Sequence, residues 1–339
     1  MKAKKLLQQE SKSNMSTNYI YGTILTSEAI AANNRGDNIG NTTTLQKVFH
    51  NDDVHTSVSA EAIRFALRYR FQLELGPDKV NRSYLSNEDR LSYKDEKRAS
   101  WQSECLIDDD IMGFMDAAAA KQEREDEDES DSEPSTETKS KKKAKGSTTK
   151  RHSPLSVGRA VSLRPYRGEI SFNCVSGTKE KGRLSLYSAE MHTTEYQYSF
   201  GLNLNDVRDK KHIGQVLDGI VDPPNIGGNH SRFWYDFSPS TIVLRVTNQH
   251  SSKVQNCFEH DEINRSFTLK KLVERVASKD LPASEIIVGG TLPSDQAQRL
   301  KELGVTVVPG VKAAMNHARE RIAKISPEFA VVAPVGELA

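Results

Sequence analysis

The chain has 339 residues, of which 36% are hydrophobic and 27% charged, and its formal net charge is +1 at pH 7. This length is typical of about two domains, and the near-neutral charge excludes a protein that binds nucleic acid through a general excess of basic residues. The cysteines Cys105, Cys174 and Cys257 are widely spaced and odd in number, which argues against a zinc site or a disulfide framework and fits a reducing cytoplasm. No apolar run is long enough to span a bilayer, and the basic, polar residues 1–14 do not form a secretory signal.

The first predicted element is a strand over Tyr19–Thr26, whose sequence YIYGTILT is rich in β-branched and aromatic residues. We predict a long loop over residues 27–58, with a short strand at Leu45–His50; loops of this length are usually functional or flexible. A helix should follow, because Ser59 is a suitable N-cap and the helical pattern continues to about Leu75.

The predicted helix has two different faces. Ile63, Leu67 and Phe71 recur at helical spacing and should face the core, whereas Arg64 and Arg68 share another face. Guanidinium groups bind phosphate in a bidentate manner, and the amides at a helix N-terminus add a site for an anion. The loop and helix together therefore suit a phosphate chain, and the residues predicted to contact it are Asn33, Asn34, Arg35, Gly36, Ser57, Ser59, Arg64 and Arg68.

Asp37 lies in the same loop, close to Arg35. A lone aspartate beside an RNA backbone could in principle assist strand cleavage, but such a residue more often orients an arginine or caps a turn. His50 and His55 have no third histidine or cysteine nearby, so ordinary loop histidines are favoured over a metal pair. The sequence contains no recognised nucleophile, Walker, zinc-protease or EF-hand pattern, and we predict no catalytic residue, no metal and no cofactor.

Two charged segments come next. Asp108, Asp109 and Asp110 cannot all face one ion, so we predict a solvated turn or a cap before Ile111. Residues 117–151 are an acidic block followed by a basic block, with no apolar residue that could support a core, and are predicted to be disordered. The basic block could touch nucleic acid, but a solvated insertion is favoured.

From Leu155 onward the pattern favours strands. Gly168–Val175 and Arg183–His192 flank a charged, glycine-bounded tip, which predicts a β-hairpin. The clearest alternation in the chain runs from Tyr196 to Leu204, with one face for the core and a polar face equally suited to RNA or to solvent. A helix is predicted over Asp206–Val221.

The segment at residues 225–239 (NIGGNHSRFWYDFSP) is a second candidate contact region. Its glycines permit close backbone approach to a ligand, and its polar side chains could contact RNA; the candidates are Gly227, Gly228, Asn229, His230 and Arg232. Its aromatic side chains could stack on bases, although we expect at least Trp234 and Phe237 to anchor the loop to the core.

The last third of the chain alternates helices and strands as a small α/β unit. The predicted elements are a helix at 268–278, a strand at 285–288, a helix at 294–303, a strand at 305–308 and a helix at 311–323. Gly289 and Gly290 follow a strand but lack the nucleotide-binding patterns, so a structural turn is favoured.

A resemblance becomes visible from the order of several segments. YIYGTILTSEAIAANNRGDN, TLQKV and HTSVSAEAIRFALRY, followed by IDDDIMGFM, HTTEYQYSFGLNL and GNHSRFWYDFSPSTIVLRVT, resemble the DevR-type backbone subunit of type I CRISPR effector complexes (Cascade), and subtype I-B in particular. The resemblance covers about residues 18–250, and it depends on the order and spacing of the segments rather than on any single motif.

The resemblance implies an α+β fold, with an RRM-like (ferredoxin-like) palm, inserted finger regions and a β-hairpin thumb, for which residues 170–192 are the candidate. It also implies a non-catalytic scaffold that binds guide RNA (crRNA), stacks with copies of itself in a helical filament, supports pairing with target DNA and contacts other Cascade subunits, with no membrane partner. The alternative is a metal-dependent RNA endonuclease like the related type III subunits, which cut with a loop aspartate, here Asp37.

In these terms the chain is predicted to have four parts, one of which is formed by two segments. They are an N-terminal extension at 1–17, a palm formed by 18–116 and 152–325, an inserted disordered linker at 117–151 and a C-terminal tail at 326–339. The linker departs from the compact pattern of the family, which leaves its role open.

Overall fold

The computed structural model describes residues 17–32, 35–115, 150–174, 186–227 and 234–334, which form a mixed α+β structure. The strands are β1 (Tyr19–Thr26), β2 (Ala29–Ala31), β3 (Arg35–Ile39), β4 (Thr42–Leu45), β5 (Lys47–His50), β6 (Asp53–Val58), β7 (Arg82–Leu85), β8 (Arg90–Tyr93), β9 (Phe114–Met115), β10 (Lys150–Arg151), β11 (Leu155–Val157), β12 (Ala160–Ser162), β13 (Glu169–Cys174), β14 (Leu186–Thr194), β15 (Tyr196–Asn203), β16 (Pro239–Thr247), β17 (Glu259–Asp261), β18 (Ser266–Thr268), β19 (Ile286–Gly290) and β20 (Thr306–Val308).

The helices are α1 (Ala60–Leu75), α2 (Ile107–Met112), α3 (Lys211–Val221), α4 (Lys270–Ala277), α5 (Ser294–Glu302) and α6 (Val311–Ala323), with 3₁₀ turns at Pro77–Lys79, Ala283–Glu285 and Pro327–Val332. Within the described residues, no helix is both long enough and apolar enough to span a membrane.

Strand β1 lies in the middle of the main sheet. The strand order is β20-β19-β16-β1-β15-β12-β6-β5, and β11 also pairs with β15. Strand β1 is antiparallel to both neighbours, so that Tyr19 is opposite Asn203 on β15 and Thr247 on β16. The predicted strand at Tyr19–Thr26 is confirmed at both ends.

The two faces of the main sheet are both covered. Alternation along β16 sends Ile242 and Leu244 into the core beneath helices α1, α3 and α6, whereas Val243 faces a second apolar cluster. This second cluster contains the segment after Val254 and residues of α4 and α5. The main sheet is thus the middle layer of three.

A smaller sheet adjoins the main one. Its order is β13-β14-β4-β3, and β2 pairs with β14. Strands β13 and β14 form an antiparallel hairpin from Glu169 opposite Met191 to Cys174 opposite Leu186, which confirms the predicted hairpin; its tip lies outside the described residues. Because β14 is followed at once by β15, the hairpin is attached directly to the centre of the main sheet.

The prediction of one long loop over residues 27–58 is wrong. Five strands, β2 to β6, occupy most of this segment, and only part of the expected strand at Leu45–His50 coincides with one of them. These strands are short, and one of their turns is built by Asn51 and Asp52, both with positive φ (50° and 66°). Short strands that pair with distant segments, as β4 does with β14, leave only a weak periodic signal.

The helix predicted from Ser59 to Leu75 is confirmed. The Ser59 hydroxyl accepts a hydrogen bond from the Ala62 amide (3.2 Å), which satisfies one of the free amides of the first turn. Ile63, Leu67 and Phe71 are buried, as the helical spacing requires. Helix α3, by contrast, begins at Lys211, five residues later than predicted, because residues 206–210 form a turn.

The alternating strand Tyr196–Leu204 is confirmed, but its polar face is neither open to RNA nor to solvent. Gln197 and Ser199 are 5% and 7% exposed, because the segment after Val254 lies over them. The Gln197 amide donates to the Phe258 carbonyl (3.0 Å), and the Asn256 amide donates to the Ser199 hydroxyl (3.4 Å). Chain from far along the sequence therefore covers this face.

The α/β unit of the last third is confirmed with small shifts at the boundaries. A Cβ atom at Gly290 would lie 2.1 Å from the Ser240 carbonyl oxygen, and one at Gly289 would lie 2.5 Å from the Cβ of Ala314. Neighbouring backbone and helix α6 therefore occupy the space around both glycines, which supports the structural interpretation. The predicted linker residues 117–149 lie outside the described residues, and Lys150 and Arg151 form β10 instead of belonging to a disordered segment.

Candidate nucleic-acid interface

The loop predicted to contact a phosphate chain is partly described. Asn33 and Asn34 lie outside the described residues, and the backbone of Arg35 and Gly36 forms the start of β3, where Arg35 is opposite Leu45. The predicted contacts therefore begin on an edge strand of the smaller sheet.

The two serines of the prediction have structural partners. Ser57 is buried, and its hydroxyl accepts a hydrogen bond from the Arg159 guanidinium (3.2 Å). The same guanidinium donates to the Gln46 side chain (2.9 Å). Ser59 caps helix α1, as described above. Each serine thus fixes the junction between β6 and α1.

Arg64 points into the protein. Its guanidinium donates to the carbonyl oxygens of Leu155 and Met112 (both 2.9 Å) and to the Ser153 hydroxyl (3.3 Å). Burial lowers the pKa of Arg64 from its ordinary value. These bonds connect α1 to the chain that precedes β11.

Arg68, one turn further along the helix, forms an ion pair. Its Nε lies 3.4 Å from Asp108 Oδ2, and the two side chains are 13% and 2% exposed. Burial, together with the nearby charge of Arg82, lowers the pKa of Arg68 to about 10. The prediction that Arg64 and Arg68 share one face is confirmed, but that face lies against other parts of the protein.

The acidic triplet Asp108–Asp110 is wrongly predicted as a solvated turn or a cap. All three side chains are buried within helix α2. Asp108 accepts hydrogen bonds from the amides of Asn81 (2.6 Å) and Arg82 (3.0 Å). Asp109 accepts from the Asn81 side chain (2.6 Å), and burial and repulsion from Asp108 raise its pKa to about 6. Backbone and arginine donors from other segments make this burial possible.

Asp110 has a complete set of donors. Its carboxylate accepts the backbone amides of Arg208 (3.0 Å) and Asp209 (3.1 Å) and the His212 Nδ1–H (2.8 Å), and it pairs with Arg151. Burial alone would raise the pKa of Asp110, but these hydrogen bonds lower it below its ordinary value. The turn before α3 is therefore built around this one carboxylate.

Cys105, Asp110 and His212 are the described group that could hold a metal, because their ligand atoms lie within 4.8 Å of one another. The donor chemistry fits an ion poorly. Both Asp110 oxygens already accept hydrogen bonds, and burial together with the Asp110 charge raises the pKa of Cys105 to about 12, whereas metals bind the thiolate. No sequence pattern indicates this cluster, because its members come from three separate segments.

The second candidate region is described only at its ends. Gly227 has a positive φ of 76°, and Gly228, Asn229, His230 and Arg232 lie outside the described residues. Phe237 is buried, as predicted, but Trp234 is 68% exposed, so the expectation that Trp234 anchors the loop to the core is wrong. Trp234 is thus available for stacking.

The smaller sheet exposes two large apolar side chains on one face, which sequence patterning missed. Phe172 is opposite Ser188, Ser188 is opposite Thr42, and Thr42 is opposite Ile39, so these side chains share one face. Phe172 and Ile39 are 71% and 73% exposed. The polar residues Ser188 and Thr42 lie between these two apolar side chains, so the exposed apolar groups of this face are separate.

The chain is similar to a group of CRISPR-associated proteins. The family model described as "CRISPR-associated negative auto-regulator DevR/Csa2" matches residues 23–269. A protein of Myxococcus xanthus (strain DK1622) described as "CRISPR-associated protein Cas7/Cst2/DevR" is 34% identical over 316 residues, which are 90% of this chain and 97% of that protein.

Two solved structures share the fold. A chain of a "CRISPR RNA-guided surveillance complex, pre-nicking" matches with a TM-score of 0.54 and 11% identity, over 88% of this chain and 98% of that chain. A chain of a "CRISPR RNA-guided surveillance complex" matches with a TM-score of 0.52 and 12% identity, over 89% of this chain and 98% of that chain. At these identities the likeness concerns the fold alone.

Proposed function

Because the chain belongs to the Cas7/DevR family of CRISPR-associated proteins, we propose that it is a guide-RNA-binding backbone subunit of a type I CRISPR surveillance complex. The observation that carries the proposal is the 34% identity to the Myxococcus xanthus protein along almost the full length of both chains. The folds shared with chains of RNA-guided surveillance complexes support it independently.

In this proposal the main sheet and its helices are the RRM-like palm, and the β13–β14 hairpin is the thumb. Two features support the thumb assignment. The hairpin is attached directly to the central strand β15, and its outer strand exposes Ile170 and Phe172 (60% and 71%). A rigid base and an exposed outer strand suit an element that reaches another molecule.

The predicted RNA contacts remain a proposal, and the structure helps to rank them. Arg64 and Arg68 hold internal partners, so a contact from either would have to use the exposed remainder of its guanidinium group. The backbone of Arg35 and Gly36 lies on β3, the edge strand of the smaller sheet. We therefore place the main phosphate contact at the loop and assign the helix arginines to its support, with the 227–232 segment as a further contact.

We further propose that copies of the chain stack along the guide RNA in a helical filament and support pairing of the guide with target DNA, beside other Cascade subunits. The subunit itself is non-catalytic in this proposal. Asp37 lies on β3, at the register shift between Arg35 and Asn38, the two residues on either side that pair with β4.

Co-purification tests the RNA-binding proposal directly. The chain is expressed with the products of its neighbouring genes, the complex is purified and the bound RNA is sequenced. We expect repeat-derived guide RNAs of uniform length, with several copies of this chain per RNA by native mass spectrometry. A complex that contains the chain but no guide RNA contradicts the proposal.

A cleavage assay tests the non-catalytic assignment. Purified complex is incubated with complementary RNA and Mg²⁺ or Mn²⁺, and we expect the RNA to remain intact. Cleavage at regular intervals that disappears in Asp37→Ala would instead assign the chain to the endonuclease type.

A further inference from the structure

Helix α1 carries a second apolar stripe, on a face other than the one that enters the core. Phe65, Tyr69 and Leu73 follow one another at intervals of four residues, so they are neighbours along the helix. Phe65 and Leu73 are 36% and 61% exposed, whereas Ile63 and Leu67 of the core face are each 2% exposed. The outer stripe therefore meets solvent in the structure.

The β7–β8 hairpin extends this stripe. The ring centroid of Tyr84 lies 5.3 Å from that of Phe65 and 5.8 Å from that of Tyr69. Leu91, directly opposite Tyr84 on β8, is 39% exposed. The Gln72 side chain fixes the hairpin to α1, because it donates to the Tyr84 carbonyl (3.0 Å) and accepts from the Tyr84 amide (2.7 Å).

These five side chains form one continuous aromatic surface, which consists of Phe65, Tyr69, Leu73, Tyr84 and Leu91. Exposed apolar side chains mark an interaction site when they are contiguous, and here helix spacing, ring contacts and strand pairing connect each one to the next. The separate apolar groups of the smaller sheet do not meet this condition.

The exposed charges around the aromatic surface are mainly acidic. Four exposed carboxylates stand against one exposed guanidinium; the residues are Glu61, Glu74, Glu88, Asp89 and Arg90. Arg90 already pairs with Glu88, and Glu74 pairs with the largely buried Arg70 (3.1 Å). The remaining carboxylates repel a phosphate chain and attract a basic partner.

Three arginines also adjoin the surface, but they are partly buried. Arg64 donates to backbone carbonyls and Arg68 pairs with Asp108, as described above. The Nε atoms of Arg68 and Arg82 are buried. A ligand on the aromatic surface therefore meets rings and aliphatic side chains at its centre and carboxylates at its rim, which suits a polypeptide with apolar and basic side chains.

Residues 1–16 of this chain, which lie outside the described residues, have this composition. Their sequence is MKAKKLLQQESKSNMS, with four lysines against one glutamate and with Leu6 and Leu7 directly after Lys4 and Lys5. The leucines match the apolar centre of the aromatic surface. The lysines match its rim, because an ammonium group is attracted both by carboxylates and by aromatic rings.

The described chain also begins close to the aromatic surface. Tyr19 is paired with Asn203 on β15, and the Asn203 amide donates to the Pro154 carbonyl (3.0 Å). Ser153, the residue before Pro154, accepts a hydrogen bond from the Arg64 guanidinium (3.3 Å), and Arg64 precedes the first residue of the surface. The residues from position 7 to position 17 span up to about 33 Å when extended, which is enough to bring the two leucines to the surface.

We propose that residues 1–16 bind the aromatic surface of their own chain. Leu6 and Leu7 pack against Tyr69 and Tyr84, and the lysines lie at the carboxylates of the rim. The covered rings and leucines leave water, which supplies the driving force. The inference is independent of the proposed function, because no RNA contact is part of it.

Limited proteolysis of the full-length chain tests this docking. Trypsin cleaves after Lys12, between the docked leucines and the start of β1, and a segment held at both ends is cleaved slowly because the protease needs the open form. The rate of this cleavage is measured by mass spectrometry. We expect Tyr84→Ser with Leu91→Ser to raise the rate about tenfold, because the docked form loses its apolar contacts.

A second variant leaves the described fold untouched. Leu6→Ser with Leu7→Ser removes the other half of the contact and should raise the rate after Lys12 to the same extent. The control is Phe49→Ser, at a side chain that is 85% exposed on β5 and lies outside the aromatic surface; its rate should equal that of the native chain.

The outcomes separate the alternatives. Equal rates in the native chain and in the leucine variant overturn the proposal, and an increase in the Tyr84 and Leu91 variant alone would then report a loosened fold. A cleavage rate that falls as the protein concentration rises overturns the same-chain assignment in favour of docking onto a second copy. An equal increase in Phe49→Ser overturns the assignment to this surface.

Discussion

Arg68 and Asp108 form an ion pair between helices α1 and α2, with Arg68 Nε 3.4 Å from Asp108 Oδ2. The sequence suggested a solvent-facing role for each, phosphate binding for the arginine and a solvated turn for the aspartate. Because both groups have left bulk water, the carboxylate of Asp108 offsets part of the cost of burying the Arg68 charge. The pair holds the acidic helix α2 against the helix that was predicted to carry the RNA contacts.

Removal of the carboxylate of this pair should destabilise the fold. Asp108→Ala leaves Arg68 without its counter-charge and the amides of Asn81 and Arg82 without an acceptor, so the free energy of unfolding should fall by about 3 kcal/mol. Urea denaturation followed by circular dichroism measures the change. Glu88→Ala, at an exposed pair with Arg90, should cost less than about 0.5 kcal/mol; equal effects would contradict a buried role for Asp108.

Substitutions at Arg64 and Arg35 should have different effects, the first on stability and the second on RNA binding. Arg64→Ala removes donors from the Leu155 and Met112 carbonyls, so we expect the free energy of unfolding to fall by about 2 kcal/mol. Arg35→Ala should leave stability within about 0.5 kcal/mol and reduce the guide RNA that co-purifies. Thermal denaturation and RNA quantification on the same preparations check both, and undiminished RNA in Arg35→Ala would argue against the loop as the main contact.

Two glycines with positive φ should differ in their response to alanine. At Gly290, φ is +108° and a Cβ would lie 2.1 Å from the Ser240 carbonyl oxygen and 2.7 Å from Thr241 Cα. Backbone must move, so Gly290→Ala should cost more than about 3 kcal/mol. Gly40 has φ +61° and open space, so Gly40→Ala should cost only about 1 kcal/mol of strain. Similar denaturation midpoints for the two variants would contradict this prediction, because they would show that the backbone of β16 and β19 moves apart at little cost in free energy.

Low pH should lower the free energy of unfolding through the protonation of His192. Burial lowers the pKa of His192 from 6.5 to about 4, so the unfolded chain takes up a proton below about pH 6.5 that the folded chain refuses until about pH 4. The stabilisation by neutral His192 is therefore complete above about pH 6.5 and is lost as the pH falls, by up to about 1.4 kcal/mol per pH unit. Unfolding free energies of the native chain and of His192→Gln, measured from pH 7 to pH 4, should converge at the acid end.

The unfolding free energy of His192→Gln has to be subtracted from that of the native chain at each pH, because the titration of Asp109 changes the stability in the opposite direction. Its pKa is raised to about 6, so its contribution is present at low pH and is lost as the pH rises through 6. The matched control is His317→Gln, since the His317 side chain is 45% exposed. A constant difference between the native chain and His192→Gln would contradict the burial argument.

Local patterns in the sequence determined the elements whose signals are complete within one segment. Strand β1, helix α1 and helix α6 were predicted at or within a residue of their observed bounds, because β-branched runs, helical spacing and the cap at Ser59 all act over a few residues. The core face of β15 followed in the same way from strict alternation. The order and spacing of several segments also indicated the family that the comparisons show.

Only the tertiary structure decided what the polar residues do. The sequence places Asp108, Gln197 and Arg64 in polar surroundings, and nothing local reveals the backbone amides and carbonyls from distant segments that surround them. A polar side chain is buried when partners elsewhere in the chain replace its hydrogen bonds to water, and those partners meet only when the sheet and its two covering layers assemble. For the same reason, the face of the smaller sheet that exposes Phe172 and Ile39 arises from packing, because it joins residues from several separate strands.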